Sequence, residues 1–319
     1  HHIHEEEFHM RTIKKVASHI FIDGFGGMTQ GLFATLIIGT MIQQIGLLIG
    51  GSTGNVIYLL GKAAAALTSA GIGVGVAVKY GESPLVTVSA AVAAMVGGYA
   101  GKITGGTFFV DGNAVLAGPG EPLGAFIAAF AGITCGHLVS GKTKVDIIVT
   151  PVITIGAGSV VGLLVGPPIS QMMTGLGSII NWATEQRPFI MGIVVSVVMG
   201  MVLTLPISSA ALGIILNLSG LAAGAATIGC CCNMVGFAVA SYRENKFGGL
   251  VAQGLGTSML QVPNIMRHPL IWLPVIFSSA ILGPVSTIIA NMQNNATGSG
   301  MGSAGLVGQI TTYQIMIAY

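Results

Sequence analysis

The chain has 319 residues, of which 52% are hydrophobic and 7% are charged, and its formal net charge is +2. A soluble globular domain carries roughly 25% charged residues, so this composition excludes an ordinary water-soluble fold. The nearly neutral charge gives no indication of nucleic-acid binding. With a mean hydropathy of +0.84, the chain is predicted to be an all-α, polytopic transmembrane helix bundle in a lipid bilayer.

The first ten residues, HHIHEEEFHM, crowd histidine and glutamate together. Residues 1–10 are predicted to be an expression-tag remnant ahead of a native start at Met10, and we exclude them from functional reasoning. The four cysteines, Cys135 and the run Cys230-Cys231-Cys232, lie in apolar sequence without the spacing that metal sites use. They are predicted to be small buried side chains. We expect no metal site and no cofactor.

Apolar segments follow one another along the rest of the chain, and a helix needs about 20 apolar residues to cross the hydrocarbon core. The candidate spans are 31–50, 56–79, 84–101, 122–139, 146–165, 188–205, 208–241, 247–260, 270–291 and 302–318. The seventh is long and is predicted to be broken. We therefore predict about ten spans. With that count more lysine and arginine residues fall on the side of the N-terminus, which places both termini in the cytoplasm.

The two halves of the chain resemble each other. Residues 71–88 can be laid beside residues 234–251, and Glu121-Pro122 has the same position and pattern as His268-Pro269. An odd number of spans in each half turns the second half upside down relative to the first. The sequence therefore predicts two inverted five-helix repeats, 11–165 and 188–319, joined by an amphipathic connector at 166–187.

Two polar, glycine-rich segments interrupt the apolar pattern. The first runs from Thr104 to Pro122 and the second from Gln253 to Pro269. Broken backbone is tolerated at membrane depth only where it packs on protein or lines a wet cavity. We predict that both segments are re-entrant, meet near the middle of the bundle and bind a solute. The predicted solute-binding residues are Glu121, His268, Asn264, Gln261, Thr107, Asp111 and Asn113.

Glu121 is the strongest single candidate, because Gly-Pro-Gly precedes it and Pro122 suits the first turn of a helix. Its carboxyl group can accept hydrogen bonds from two hydroxyl groups or exchange a proton; alternatively, it caps the following helix. His268 either contacts the solute or lies at headgroup level beside Arg267. Asp111 and Asn113 either contribute to the site or form a turn. The chain contains no Walker loop, nucleophile elbow or zinc spacing, so no catalytic residue is assigned.

Three segments together resemble a known family: GPGEPLGAFIAAFAG, GPPISQMMTGLGSIINWATEQRPFIMG and TSMLQVPNIMRHPLIWLP. From Ile13 onward the chain resembles the second type of phosphotransferase-system enzyme IIC, a family that includes proteins described as perfringolysin O regulators. The resemblance implies a homodimeric sugar permease of the bacterial inner membrane. It also implies separate cytoplasmic enzymes IIB and IIA, because the 319 residues contain no such domain.

In several enzyme IIC families a glutamate in a glycine-rich re-entrant segment and a histidine contact the sugar, and by similarity of setting these are Glu121 and His268. The glutamate motif of the glucose-type enzymes is absent. Two other functions stay open from the sequence. One is a proton-linked secondary transporter of a small anion or metabolite, and the other is a membrane sensor that does not transport. The sequence does not identify the solute, although its two tryptophans, Trp182 and Trp272, argue against a large saccharide.

Overall fold

The computed structural model describes Thr12 and residues 14–317. The predicted tag at residues 1–10, and the outermost residues of both predicted repeats, lie outside the described part. Within that part the regular secondary structure is helical, apart from one two-stranded hairpin and an isolated β-bridge between Gly220 and Asn294.

The first half contains seven helices and the hairpin. They are α1 (Lys14–Ile49), α2 (Gly51–Ala66), α3 (Thr68–Lys79), α4 (Pro84–Gly98), α5 (Ala100–Thr104), β1 (Phe109–Val110), β2 (Asn113–Ala114), α6 (Pro122–Val139) and α7 (Asp146–Thr184). Helix α1 includes two π-helical stretches, His19–Gly24 and Phe33–Ile37. Such stretches occur often at functional sites.

The second half is more interrupted. Its α-helices are α8 (Pro188–Thr204), α9 (Ser209–Ile215), α10 (Gly220–Ala240), α11 (Tyr242–Val251), α12 (Val262–Arg267), α13 (Leu273–Pro284), α14 (Ala296–Ser299) and α15 (Val307–Ile317). Short π- or 3₁₀-helical turns flank them at Ala252–Gly256, Ser258–Gln261, Pro269–Trp272, Val285–Ile289 and Ala304–Leu306.

Among the described residues, five helical segments are long and apolar enough to cross a membrane: α1, α6, α7, α10 and the continuous stretch Pro269–Ile289. A sixth arises if α2 and α3, bent by 53° relative to each other, count as one broken span. The all-α membrane fold is thus confirmed, whereas ten spans and inverted repeats are not. The difference arises because the prediction counted every apolar run as a crossing, and several runs form short or broken helices.

The predicted connector does not stand apart from the first half. Residues 166–184 continue α7, which is a single helix of 39 residues with Pro151, Pro167 and Pro168 inside it. Proline removes a backbone donor, so Gly166-Pro167-Pro168 predicted an end to the span. Helices in membrane bundles accommodate proline where neighbouring groups satisfy the freed backbone. The division into two repeats and a connector remains a prediction.

Among the described residues, two large buried hydrophobic cores organise the bundle, and a small third cluster holds Phe237, Ile265 and Val275. The first is formed by α1, α3, α4 and α6, and the second by α8, α9, α10 and the end of α7. Met259 and Val262, which come late in the chain, pack into the first core. A segment of the second half therefore lies against the first half, and both halves contribute to the space between the cores.

Candidate functional site

Glu121 lies at the start of α6, in an extended conformation with φ −90° and ψ 114°. Its backbone N–H donates to the carbonyl oxygen of Gly98, at the end of α4, over 2.7 Å. Its side-chain Oε1 accepts a hydrogen bond from the backbone N–H of Ser208 over 3.3 Å. This partly buried carboxyl group therefore joins a loop of the first half to a loop of the second.

Three side chains hold the loop that leads to Glu121. The Ser69 hydroxyl donates to the carbonyl of Pro119 over 2.9 Å, the Tyr99 hydroxyl to that of Gly118, and the Lys102 ammonium to that of Ala117. Gly120 has φ +79°, and a Cβ atom there would lie 2.4 Å from Ser69 Oγ. Only glycine fits that position without displacing a neighbour. The carboxyl group is thus presented by a fixed loop.

The facing loop separates α8 from α9. The chain leaves α8 after Thr204, and the Ser208 hydroxyl then caps α9 by accepting from the N–H of Ala211 over 3.2 Å. Ser209 Oγ, at the start of α9, donates to the carbonyl of Gly300 over 2.6 Å and so ties this helix end to the glycine-rich run at residues 291–303. Two helix interruptions, 205–208 and 117–121, therefore meet at Glu121.

A small cavity adjoins this contact between the two cores. Pro122 and Ser208 are part of its wall, and its volume is about 50 Å³. The remaining lining residues are Leu32, Leu36, Ile37, Leu203, Ile207, Ser209, Ala210, Met234, Gly256, Thr257, Met259, Gly300, Met301 and Ala304. Space of that size holds roughly one or two water molecules. A sugar does not fit in that space, so binding one here requires the walls to separate.

Comparison with known proteins identifies the chain. A family model described as the enzyme IIC (EIIC) of the phosphotransferase system matches residues 22–319. The chain belongs to this enzyme IIC family. No curated protein matches the sequence. Together with the apolar helices, the match shows an integral membrane permease component of the phosphotransferase system. The resemblance found in the sequence is confirmed for enzyme IIC, and the perfringolysin O regulator-like subgroup stays a prediction.

The enzyme IIC structure gives Gln261 and Asn264 other partners than Glu121. Gln261 is buried and donates through Nε2 to Gln253 Oε1 over 2.7 Å, and it accepts from Asn264 Nδ2 over 2.9 Å. Gln253 in turn donates to the Ser241 hydroxyl over 2.8 Å. These amides form a chain of hydrogen bonds beside the cavity wall at Thr257 and Met259.

Thr107, Asp111 and Asn113 lie on the hairpin and are exposed. Asp111 has φ +50° and its carbonyl accepts from Asn113 Nδ2 over 3.3 Å, as in a turn. His268, after α12, is also exposed. Among the described residues no hydrogen bond joins these four to Glu121, so the structure does not bring them to the cavity. Their part in solute binding stays a prediction.

Sequence reasoning missed two buried asparagines. Asn233 in α10 is 0% exposed, and Asn294, between Ile289 and α14, is 2% exposed. A polar side chain that persists inside an apolar helix is costly unless it is bonded, which is the signal that identifies Asn233. For Asn294 the signal is the polar, glycine-rich run at residues 291–303, which resembles the segment before Glu121 in composition.

Proposed function

We propose that this enzyme IIC binds a small neutral sugar or polyol between the loop at 117–121 and the break at 205–208. Glu121 accepts hydrogen bonds from solute hydroxyl groups in this proposal. The observation that carries it is the Glu121–Ser208 contact, which places an acidic group where two helix interruptions from different halves meet. Interrupted helices at such a junction are the usual setting of a transporter binding site.

The chemistry of the site favours a neutral solute over an anion. Glu121 is the ionisable group at the junction, and the cavity lining as described contains no lysine, arginine or histidine. Anionic ligands are bound by arginine, lysine or clustered N–H donors, because charge-assisted hydrogen bonds are the strong ones. Hydroxyl groups, by contrast, donate readily to a carboxyl oxygen. Transport of a small anion is therefore not favoured.

The two walls of the small cavity suggest how the solute gains access. One wall includes Leu32 and Met259 from the first core, and the other includes Leu203 and Met234 from the second. Separation of the cores would enlarge the cavity and would break the two polar contacts that cross the junction, Glu121–Ser208 and Thr204–Ser258. The solute would then be presented to a separate phosphorylated enzyme IIB, with enzyme IIA upstream. A homodimer with both termini in the cytoplasm is part of the same proposal.

Thermal stabilisation of the detergent-purified protein tests the proposed site, because a ligand that binds the folded state raises the melting temperature. The probes are glucose, galactose and mannitol, with gluconate and glucose 6-phosphate as anionic counterparts. Each is measured on the wild type, on Glu121→Gln, and on Asp111→Asn as the matched acid-to-amide control. We expect a neutral compound to stabilise the wild type and Asp111→Asn but not Glu121→Gln.

Three results would contradict the proposal, and the first is that glucose, galactose and mannitol all fail to stabilise the wild type. Stabilisation by gluconate or glucose 6-phosphate alone would indicate an anion site. An equal shift in Glu121→Gln and in the wild type would place the solute elsewhere. Reconstitution with enzymes I, HPr, IIA and IIB then separates permease from sensor, because a sensor binds the sugar without phosphoenolpyruvate-dependent uptake into vesicles.

A further inference from the structure

Asn233 lies at the centre of a buried hydrogen-bond network in the second core. Its Oδ1 accepts from Trp272 Nε1 over 3.1 Å and from the Thr204 hydroxyl over 3.2 Å, and the Gly200 carbonyl oxygen shares the Thr204 proton at the same distance. Its Nδ2 donates to the carbonyl of Gly229 and to the Ser279 hydroxyl, each over 3.2 Å. All four hydrogen-bonding positions of this amide are thereby used.

The network reaches both segments that border the cavity. Thr204 is the last residue of α8, directly before the break that carries Ser208. The Thr204 hydroxyl also lies 2.7 Å from the hydroxyl of Ser258, and Ser258 stands between the cavity residues Thr257 and Met259. The Thr204 hydroxyl therefore connects Asn233 to two stretches of backbone, the break at 205–208 and the 3₁₀ turn at 258–261.

Regular α-helical hydrogen bonds do not fix the geometry of these two stretches. Residues 205–208 are not helical, and the 3₁₀ turn Ser258–Gln261 is only four residues long. A completely bonded amide in a low-dielectric interior rigidifies its neighbours, because any displacement leaves a buried polar group without a partner. The packing makes room for this amide at Gly200, where a Cβ atom would lie 2.3 Å from Asn233 Nδ2.

We infer that Asn233 is a positioning residue of the solute site, acting through Thr204 to hold the break at 205–208 and the turn at 258–261 in register. This inference rests on the proposed function, because that proposal assigns the two segments to the wall of the solute site. Its geometric part, that Thr204 transmits the position of Asn233 to these segments, is independent of any solute.

Two variants of the full-length protein test this inference. Thr204→Val keeps the shape of the side chain and removes the hydroxyl between Asn233 and Ser258. Ser279→Ala, the control, removes a hydrogen bond from the side of Asn233 that faces α13 instead of the cavity. Asn233→Leu is a harsher third variant. Because it can fail to fold, the conclusion depends on the first two.

Amide hydrogen exchange without any added solute is the first measurement. Exchange over residues 205–211 and 257–261 is expected to rise in Thr204→Val and to stay at the wild-type level in Ser279→Ala. Equal exchange in the two variants, or no change in Thr204→Val, would overturn the inference. This result does not depend on whether the protein binds a sugar.

Affinity for glucose, galactose and mannitol is the second measurement. Thr204→Val should bind whichever of these stabilises the wild type about five- to tenfold more weakly, the factor expected when a buried hydrogen bond is lost. Ser279→Ala should lower the melting temperature similarly but change the affinity less than about twofold. An affinity loss that is equal in both variants would make Asn233 merely structural. If none of the three compounds stabilises the wild type, the proposed function fails, and hydrogen exchange alone decides the positioning role.

Discussion

The glycine immediately before Glu121 offers the sharpest test of how the loop presents its carboxyl group. Gly120 and Gly118 have nearly the same backbone φ angle, +79° and +82°. Their surroundings differ. A Cβ atom on Gly120 would lie 2.4 Å from Ser69 Oγ and 3.1 Å from the Gly98 carbonyl oxygen, whereas one on Gly118 would meet nothing within 4 Å.

Replacing each glycine with alanine therefore separates backbone strain from collision. Both variants bear the cost of a left-handed alanine, about 1–2 kcal/mol. Gly120→Ala bears in addition an overpacking cost of about 1–3 kcal/mol. The Ser69 hydroxyl cannot simply rotate away, because it donates to the carbonyl of Pro119. We expect Gly120→Ala to have the lower melting temperature and to lose sugar-induced stabilisation, while Gly118→Ala keeps it.

A double variant completes the test. Ser69→Ala removes the oxygen that the new methyl group would meet, so Gly120→Ala/Ser69→Ala should regain part of the stability lost in Gly120→Ala. Thermal unfolding of the wild type, Gly120→Ala, Ser69→Ala and the double variant gives the interaction energy between the two substitutions. Equal melting temperatures for Gly118→Ala and Gly120→Ala, or additive losses in the double variant, would refute the assigned contact between Gly120 and Ser69.

Two further predictions concern the scaffold. Gly31→Ala should lower the melting temperature strongly, because the new Cβ atom would lie 2.0 Å from the Gly71 carbonyl oxygen, where α1 packs on α3. Gly156→Ala is the control: a Cβ atom there meets nothing within 4 Å, so the melting temperature should be unchanged or higher. The second prediction concerns the loop before Glu121 and uses the thermal-shift assay. Tyr99→Phe removes a hydroxyl that holds this loop and should weaken sugar binding about tenfold. Tyr80→Phe removes a hydroxyl that donates to the carbonyl of His19 and should leave sugar binding unchanged.

The sequence predicted the helical segments better than their number. Each candidate span overlaps a helix, because helices that lie in the hydrocarbon core of a bilayer need apolar side chains. Whether an apolar run forms one helix that crosses the membrane depends on the segments it packs against, and composition does not reveal those segments. Residues 247–260 show this, since they hold the end of α11, a π-helical turn and part of a 3₁₀ turn in place of one straight span.

The candidate site shows the same division. Glu121 could be selected from the sequence because an acidic side chain in an apolar chain is costly to bury and usually faces a cavity or another helix. Ser208 could not, since it contacts Glu121 through its backbone N–H, a group that every residue except proline carries. The predicted pairing of Glu121 with the segment at 253–269 rested on matching positions in two halves. The hydrogen bond to the α8–α9 break depends instead on three-dimensional packing.

The position of the site between two separately packed cores constrains how this enzyme IIC can move. The side chains of each core are buried against one another, so deforming either core would open cavities that cost about 1 kcal/mol or more for each methyl group exposed to a void. The junction between the cores borders a cavity that is already present, and two contacts cross it: Glu121–Ser208 over 3.3 Å and Thr204–Ser258 over 2.7 Å. In the proposed function a solute hydroxyl takes the place of the Ser208 N–H on Glu121 as the walls part, so the bond lost on opening is regained on binding. We therefore propose that the two cores move as rigid units, that Glu121 alternates between Ser208 and the solute, and that the Thr204–Ser258 contact breaks on opening.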